Sequence, residues 1–422
     1  MPEIQPFAAL RYNPEINALA SVVVPPYDVI KDEERRRLAA EPYSGVRLTL
    51  SEELPGDNPE HNRYTRARDL FETWQQEEIL LQDDSESLYV LAQEFDWNGR
   101  RYTRTHLVCA CRLHEWADGA ILPHEQILEG PKDDRQRLIE TTRANFEPLF
   151  ALTMGDSHDF RSLLRRHSEG EPIQDVELAN GERNRVWRVA EAGAIAAFQA
   201  ALENTTLVIA DGHHRYTASL GVKRALETEY GTGPWDYAMM TLAAMEDDDL
   251  LVLPTHRIVS GLPGFDFTAL VDHLDTSFVV EEQEGLGATL AAMEAVDGVA
   301  IGMLTRENGA HLLTPWQPEA IGDLIAGEHS AEWKRLDVSI LHGVIMDKVL
   351  GIGAGESPHI AYTRDASEAA SAVQSGAAQV AFLLKSTPKA AVETIARLGE
   401  TMPQKSTFFF PKLLTGMLMR RW

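Results

Sequence analysis

The chain has 422 residues, of which 44% are hydrophobic and 25% charged, a composition typical of a soluble protein with two or three domains. Its formal net charge of −26 argues against general nucleic-acid binding, because nucleic-acid phosphates are held by many Lys and Arg side chains. No apolar run reaches the roughly 20 residues that span a bilayer, and the N-terminus does not resemble a signal peptide. We therefore expect a cytoplasmic protein with neither a membrane nor a nucleic-acid partner.

The N-terminal region contains a rigid proline segment followed by predicted helices and a hairpin. The segment Pro25-Pro26-Tyr27-Asp28-Val29 breaks regular structure and presents Asp28 on a stiff loop. This carboxylate can act as a base, hold a metal or cap the helix that follows. Periodicity predicts helices over 32–40 and 62–78, and strands over 88–95 and 103–113 that pair around Trp97-Asn98-Gly99-Arg100.

A second polar cluster follows a short apolar strand. In Leu122-Pro123-His124-Glu125, Glu125 can deprotonate a substrate hydroxyl while His124 orients the partner. Lys132 and Arg135, at the start of a helix that runs to about residue 144, can meet phosphate charge. The alternative is that this charged run is an ordinary solvated helix start and that the His-Glu pair belongs to the scaffold.

The most informative segment joins a predicted strand to a predicted helix. The apolar run 207–209 predicts a buried strand, and the pattern over 216–226 predicts a helix. Between them lies Asp211-Gly212-His213-His214-Arg215. Gly212 lets the backbone approach a ligand, and a helix N-terminus favours an anion. Arg215 can hold phosphate bidentately, so the segment predicts a phosphate site, against the alternative of a solvated helix start.

A change of pattern after residue 260 predicts a second domain. We assign residues 1–260 to an N-terminal domain and 261–422 to an α+β domain in which helices and strands alternate twice. The predicted elements of this second domain are helices over 267–274, 286–296, 336–350, 366–375 and 389–398, and strands over 277–281, 298–305, 359–363 and 378–384.

The last polar cluster lies within 403–412. Ser406 and Thr407 can contact phosphate or a metal, and Lys405 or Lys412 can offset negative charge. The neighbouring phenylalanines are equally typical of a core strand.

Several common nucleotide and metal motifs are missing from the sequence. No complete Walker loop, Gly-x-Ser-x-Gly elbow or kinase-type glycine-rich loop is present. The glycine-rich stretch 351–355 follows a helix instead of joining a strand to a helix, so it lacks the context of a dinucleotide site. The His124-Glu125 pair lacks the second His of a zincin motif, and no metal ligands are assigned.

The segment Asp211-Gly212-His213-His214-Arg215, with Ala218, resembles the Gly-x-His-Arg-x-x-Ala type motif of the ParB/sulfiredoxin-like superfamily. In that superfamily the motif starts a helix and binds nucleotide phosphates, and its free-serine kinases carry a very similar Asp-Gly-His-His-Arg. Sulfiredoxin-like members place a catalytic cysteine where His213 stands, so we do not expect sulfinic acid reduction. The chain is also similar, over nearly its whole length, to a bacterial family catalogued as a domain of unknown function, through blocks at 25–29, 122–125, 211–218, 253–257 and 403–407.

The resemblance implies an α+β protein: a ParB/sulfiredoxin-like nucleotide-binding core with a large insertion, plus a C-terminal α/β sandwich region. It implies a transferase that uses ATP or ADP with Mg²⁺ to phosphorylate a small hydroxylated metabolite, with free L-serine the leading candidate. The implied phosphate-binding residues are Asp211, Gly212, His213, His214 and Arg215, assisted by Lys132, Arg135, Lys405, Ser406 and Thr407, and the implied catalytic residues are Glu125, Asp28 and His124. Two alternatives remain: a regulatory module that binds nucleotide without transferring phosphate, and a metal-dependent phosphodiesterase or nuclease that uses the two adjacent histidines.

Overall fold

The computed structural model describes residues 1–126, 130–353 and 357–422, and in these the chain is a mixed α/β protein with several sheets. Its strands are β1 (Ile4–Gln5), β2 (Leu10–Tyr12), β3 (Leu80–Gln82), β4 (Leu88–Trp97), β5 (Arg100–Arg112), β6 (Ile121–Leu122), β7 (Ala144–Asn145), β8 (Leu149–Met154), β9 (Gln174–Glu177), β10 (Arg183–Val189), β11 (Thr206–Asp211), β12 (Tyr237–Ala244), β13 (Leu251–Leu253), β14 (His256–Val259), β15 (Phe278–Gln283), β16 (Ile301–Thr305), β17 (Gly309–Pro315), β18 (Ile360–Thr363), β19 (Val380–Leu383), β20 (Phe408–Phe410) and β21 (Arg420–Arg421).

The α-helices are α1 (Leu19–Val22), α2 (Asp32–Ala39), α3 (Val46–Thr49), α4 (Arg63–Gln76), α5 (Gly130–Thr142), α6 (His158–Arg166), α7 (Ala192–Leu202), α8 (His213–Tyr230), α9 (Phe267–Leu274), α10 (Leu286–Ala295), α11 (Ala331–Lys334), α12 (Asp337–Ile340), α13 (Ala366–Gln374) and α14 (Lys389–Arg397). Short 3₁₀ turns cover Tyr27–Val29, Trp116–Asp118, Pro234–Asp236 and Ile321–Leu324, and a π-helix covers Leu341–Val349. None of the helices in the described residues is both long and apolar enough to cross a bilayer.

The chain divides into two compact units that are each discontinuous in sequence. Unit 1 contains Met1–Pro123, Ile127–Leu251 and Pro411–Trp422, and unit 2 contains His124–Gln126 and Val252–Phe410. We predicted a single boundary near residue 260, whereas the division falls at Leu251 and the C-terminal segment belongs to unit 1. This segment belongs there because its backbone pairs with unit 1: Met419 bridges Leu10, and β21 pairs with β7.

Unit 1 is built on a nine-stranded mixed sheet. Its strand order is β6-β11-β8-β12-β5-β4-β10-β9, with β1 extending the pairing of β5. The hairpin predicted between β4 and β5 is confirmed, and its turn residues Asn98 and Gly99 have φ of 49° and 77°, the left-handed values that such a tight turn requires. One face of the sheet buries an apolar core under α6, α7 and α8, to which Phe160, Phe198 and Leu220 contribute.

Helix α8 is anchored to this core through a buried tyrosine. The Tyr216 side chain is fully buried, and its ring lies 4.5 Å from that of Trp116, centroid to centroid. Its hydroxyl accepts the N–H of His114 at 3.0 Å and donates to the carbonyl of the same residue at 2.8 Å. The Tyr216 side chain, one turn into α8, therefore hydrogen-bonds both the backbone N–H and the backbone C=O of His114.

Unit 2 contains a six-stranded antiparallel sheet in the order β15-β17-β16-β19-β14-β18. The two alternations of helix and strand that the sequence predicts therefore share one sheet. Helices α10 and α13 pack on it around Met293, Ala369 and Val373. Strand β14 lies between β18 and β19, which explains why the division precedes residue 260. The helix predicted over 336–350 is present as α12 followed by the π-helix, and the glycine-rich stretch 351–355 lies partly outside the described residues.

Replacing Tyr216 by Phe tests how far α8 depends on this anchor. The substitution leaves the partly buried N–H and C=O of His114 without the Tyr216 hydroxyl, so we expect a loss of about 1–3 kcal/mol in the free energy of unfolding. Urea denaturation measures the change. Tyr230→Phe is the matched control, because Tyr230 lies at the other end of α8 and is 62% exposed, and it should change stability by less than about 0.5 kcal/mol. Equal effects of the two substitutions would contradict the anchoring role.

Candidate functional site

The predicted strand, turn and helix of the 207–218 segment are all present. β11 ends at Asp211, Gly212 has φ of 88° and ψ of 29°, and α8 begins at His213. Gly212 is needed here for two reasons: the backbone is left-handed, and a Cβ atom would lie only 3.0 Å from the guanidinium carbon of Arg215. Gly212 itself provides no side-chain cap for the first turn of α8, and the start of a helix is a favourable position for an anion.

The Asp211 carboxylate lies between two cations. Its Oδ2 atom accepts a hydrogen bond from Arg215 Nη2 at 2.9 Å, and its Oδ1 atom forms an ion pair with Lys412 Nζ. Burial alone would raise the pKa of Asp211, but the charges of Lys412 and Arg215 outweigh it and hold the pKa at about 2. The carboxylate is therefore paired with one cation from α8 and one from the C-terminal segment, while Glu147 and Asp28 add negative charge around Arg215.

The Arg215 side chain supports the turn. It is 7% exposed, and its Nη1 atom donates to the carbonyl of Pro148 at 2.6 Å while Nη2 donates to Asp211. Burial works to lower the pKa of Arg215, yet nearby acidic groups, led by Glu147 and Asp211, raise it. We predicted that its guanidinium would grip phosphate bidentately, whereas here both Nη atoms bind the protein itself, because the fork faces back under Gly212.

The two histidines of the motif differ in environment. His213 is buried and its charge contributes to the low pKa of Asp211, whereas His214 is half-buried. Adjacent residues on a helix do not face each other, so the two imidazoles project in different directions. This arrangement does not suit joint metal binding by the pair.

The proline segment 25–29 packs beside the motif. The guanidinium carbon of Arg135 lies 4.2 Å from the centroid of the Tyr27 ring, and the Tyr27 N–H donates to Glu147 Oε1 at 3.0 Å. Asp28 is exposed, and its negative charge is among those that raise the pKa of Arg215. Asp28 and Arg135 therefore belong to the same unit as the 211–215 segment.

The first turns of α5 carry the two predicted phosphate-binding residues Lys132 and Arg135. Arg135 is 4% exposed and donates from Nε to Asp134 Oδ2 at 2.6 Å, and Asp134 also accepts from Arg63 and Tyr64. Because Arg135 is bound in this network and one face of its guanidinium packs on the Tyr27 ring, its side chain supports the fold. Lys132 is half-buried, and none of its contacts places it with the motif in the part of the chain that the structure describes.

The predicted catalytic pair His124-Glu125 belongs to unit 2. His124 is fully buried, with Nε2 at 2.7 Å from Thr407 Oγ1. Glu125 is half-buried, and its Oε1 atom accepts the N–H of Lys405 at 2.9 Å. Both side chains therefore hold the 402–407 loop in its present conformation.

The 402–407 loop has an unusual backbone fixed by buried groups. Lys405 has φ of 56°, a left-handed value that is uncommon for a non-glycine residue, and its side chain is exposed. Arg257, fully buried, donates from Nη2 to the carbonyls of Gln404 and Lys405, each at 3.1 Å. Ser406 and Thr407 are buried, and the Ser406 hydroxyl donates to the carbonyl of Pro403. Of the three residues predicted from this loop, Lys405 alone presents its side chain outward.

The candidate residues thus form two groups, one in each unit. Unit 1 holds Asp28, Arg135 and the 211–215 segment, and unit 2 holds 124–125 and 405–407. The sequence analysis gave Lys412 a general charge-offsetting role and missed its ion pair with Asp211. It also missed Glu147, a buried acid, because its neighbours Phe146 and Pro148 made this stretch resemble part of a strand. Within the described ranges, no three His, Cys, Asp or Glu side chains are grouped as metal ligands.

Gly212→Ala tests the fit between the turn and Arg215. A left-handed backbone costs alanine about 1 kcal/mol, and displacing the guanidinium adds about 1–2 kcal/mol. The matched variant Gly181→Ala, at φ of 82° with no atom within 4 Å of the added Cβ, should show the backbone cost alone. Urea unfolding of both variants separates the two contributions, and equal losses would argue against the close packing of Arg215.

The pH dependence of stability tests the ion pairs of Asp211. Because its pKa is about 2 in the folded chain and about 3.9 when unfolded, its stabilising contribution is complete above pH 4 and is lost as the pH falls towards 2. We expect the wild-type chain to lose about 2 kcal/mol more than Asp211→Asn between pH 4 and pH 2. Unfolding free energies measured across this window check the difference, and parallel curves would mean that Asp211 is not ion-paired.

Comparison with known proteins identifies a family and several distantly similar solved structures, of which three follow. A conserved hypothetical protein from Pyrococcus furiosus is 14% identical, with 74% of this chain and 95% of that chain covered and a TM-score of 0.35. A free serine kinase in complex with AMP is 15% identical, with 74% and 92% covered and a TM-score of 0.35. SbnI with C-terminal truncation from Staphylococcus aureus is 12% identical, with 73% and 85% covered and a TM-score of 0.34.

At these TM-scores the likeness assigns neither a fold nor an activity to this chain. No curated protein matches it significantly. A family model matches residues 4–339, which is most of the sequence. The chain therefore belongs to the family described as Protein of unknown function (DUF1015).

Proposed function

We propose that unit 1 binds the phosphate groups of a nucleotide at the start of α8 and that the protein transfers phosphate to a small hydroxylated metabolite. The observation that carries this proposal is the junction of β11, Gly212 and α8, where the start of a helix meets a carboxylate paired with both Lys412 and Arg215. Backbone amides and cationic side chains are the groups that recognise phosphate. We also assign this junction to a ParB/sulfiredoxin-like core, on the strength of its motif.

The proposed nucleotide is ATP or ADP, and free L-serine is the leading acceptor. This choice rests on the Asp211-Gly212-His213-His214-Arg215 motif and on the acidity of the chain, since a net charge of −26 favours a small zwitterion over a polyanion. When bound, Mg²⁺ would neutralise charge on the phosphate oxygens, and those oxygens would supply most of its ligands. Asp28, an exposed carboxylate of unit 1, is the protein group best suited to complete them.

The protein residues would act mainly by positioning and by accepting one proton. The amides of His213 and His214 would face the transferred phosphate, while Arg215 keeps the turn in shape through Pro148. Glu125 or Asp28 would accept the proton of the acceptor hydroxyl. Lys405, exposed on a constrained loop, and Lys132 are proposed to offset phosphate charge.

A second candidate is a regulatory module that binds nucleotide without transfer. It is favoured by one observation: the carboxylate of Glu125 already accepts the Lys405 N–H, so it serves as a loop-holding group in this structure. The phosphodiesterase alternative is not supported by a comparable observation, because the adjacent histidines point in different directions.

Incubating the purified chain with labelled ATP or ADP, Mg²⁺ and a panel of hydroxylated metabolites tests the proposal. We expect O-phosphoserine as the product, detected by mass spectrometry. Glu125→Gln should keep nucleotide affinity and lower turnover by about 100-fold or more, because glutamine can still accept the Lys405 N–H but cannot take a proton.

Two further variants serve as a control and as a test of which carboxylate is the base. Glu332→Gln, at an exposed glutamate of unit 2, should keep the wild-type rate. Asp28→Asn identifies Asp28 as the base if it abolishes turnover at every Mg²⁺ concentration while Glu125→Gln does not, whereas recovery at high Mg²⁺ assigns Asp28 to metal binding. Nucleotide binding with no phosphorylated product from any acceptor would reject transfer and leave the regulatory module.

A further inference from the structure

A row of buried polar side chains crosses three neighbouring strands of unit 1. Asn184 on β10 is directly opposite Gln93 on β4, and Gln93 is directly opposite Arg104 on β5. All three side chains are fully buried, and they lie on the face of the sheet opposite the apolar residues Val90, Ala92 and Leu107. Burying a guanidinium costs free energy unless its N–H donors are hydrogen-bonded. The hydrogen-bond partners of Arg104 therefore indicate the role of this row.

Three hydrogen-bond partners of Arg104 are neutral oxygen and nitrogen atoms. Its Nη2 atom donates to Gln93 Oε1 and to the carbonyl of Pro411, each at 2.6 Å, and its Nε atom donates to His106 Nε2 at 3.0 Å. Burial lowers the pKa of Arg104 to about 10, so the group remains a cation at neutral pH. Burial, followed by the charge of Arg104, lowers the pKa of His106, so this imidazole is neutral and can accept the hydrogen bond.

The row continues onto the C-terminal segment of unit 1. Gln93 Nε2 donates to the carbonyl of Lys412 at 3.3 Å and to Glu182 Oε1 at 3.2 Å. Two successive carbonyls, those of Pro411 and Lys412, are therefore bound by adjacent members of the row. Because the backbone of this peptide is fixed on the sheet, the Lys412 side chain extends from a defined point to the Asp211 carboxylate.

We infer that Arg104 is a positioning residue for the start of α8, acting through the Pro411–Lys412 peptide and the Lys412–Asp211 ion pair. The inference rests on the proposed function for its consequence in nucleotide binding, but the positioning itself is a separate property. Without Arg104 the Pro411 carbonyl loses its charge-assisted hydrogen bond. The backbone at Lys412 is then less firmly held, so its side chain no longer meets Asp211 in a single fixed conformation.

The rate at which acetic anhydride modifies Lys412 in the full chain measures this positioning directly. In the wild type the Lys412 side chain is 15% exposed and ion-paired, so modification is slow. Arg104→Met should raise its rate about tenfold and weaken ADP binding by a similar factor, the effect of losing one charge-assisted hydrogen bond. Arg104→Lys, which can still donate to the Pro411 carbonyl, should restore most of the protection.

A matched control removes a different buried arginine of unit 1. Arg420 donates to the carbonyls of Tyr237 and Pro234. Arg420→Met should lower stability without changing the modification rate of Lys412. If Arg104→Met does not fold, Gln93→Met takes its place, because it removes the contact with the Lys412 carbonyl and leaves the cation.

The outcomes separate the inference from the proposed function. An unchanged Lys412 rate in a folded Arg104 or Gln93 variant would overturn the positioning role. A faster rate together with weaker ADP binding supports it as a determinant of the nucleotide site. A faster rate with unchanged ADP binding supports the positioning of Lys412 and overturns its part in binding nucleotide.

Discussion

Taking the Asp211 carboxylate out of water costs free energy, and the arrangement of unit 1 around α8 depends on how that cost is offset. Two cations approach the same carboxylate, one from the first turn of α8 and one from the C-terminal segment. Their charges outweigh burial and keep Asp211 ionised. The end of β11, the start of α8 and the peptide at Lys412 are thereby joined at one point, although Lys412 is far from the other two in sequence.

The polar row on the sheet gives this junction its specificity. An apolar surface at Gln93 and Arg104 would attract many segments, whereas unsatisfied donors accept only a segment that offers carbonyls in the right places. Pro411 is suited to this role because it has a carbonyl but no N–H to leave unpaired against the row. The C-terminal segment therefore belongs to unit 1 through hydrogen bonds to its backbone as well as through the pairing of β21 with β7.

Local patterns predicted the elements well, because periodicity and turn chemistry act over a few residues. The junction at Gly212 and the hairpin at Asn98-Gly99 needed only neighbouring residues to be recognised. The role of Arg215 could not be predicted in this way, since its acceptor, the carbonyl of Pro148, lies 67 residues away in sequence, just before β8. The unit boundary was displaced for the same reason: β14 is assigned by its pairing with β18 and β19, which occur about a hundred residues later.

The local backbone of the candidate site was predicted more accurately than its contacts. The strand, the Asp-Gly turn and the helix start follow from sequence alone, but which cation remains available depends on long-range contacts. Because both Nη atoms of Arg215 are bound by the protein, the proposed phosphate recognition would rest on backbone amides at the helix start, with Lys412 as a nearby cation. Amides bind a phosphate without carrying a formal charge of their own. In a chain with a net charge of −26, such a site attracts a small phosphate group at short range while the surrounding acidic field repels long polyanions. For the proposed function, this balance would favour a nucleotide over a nucleic-acid polymer.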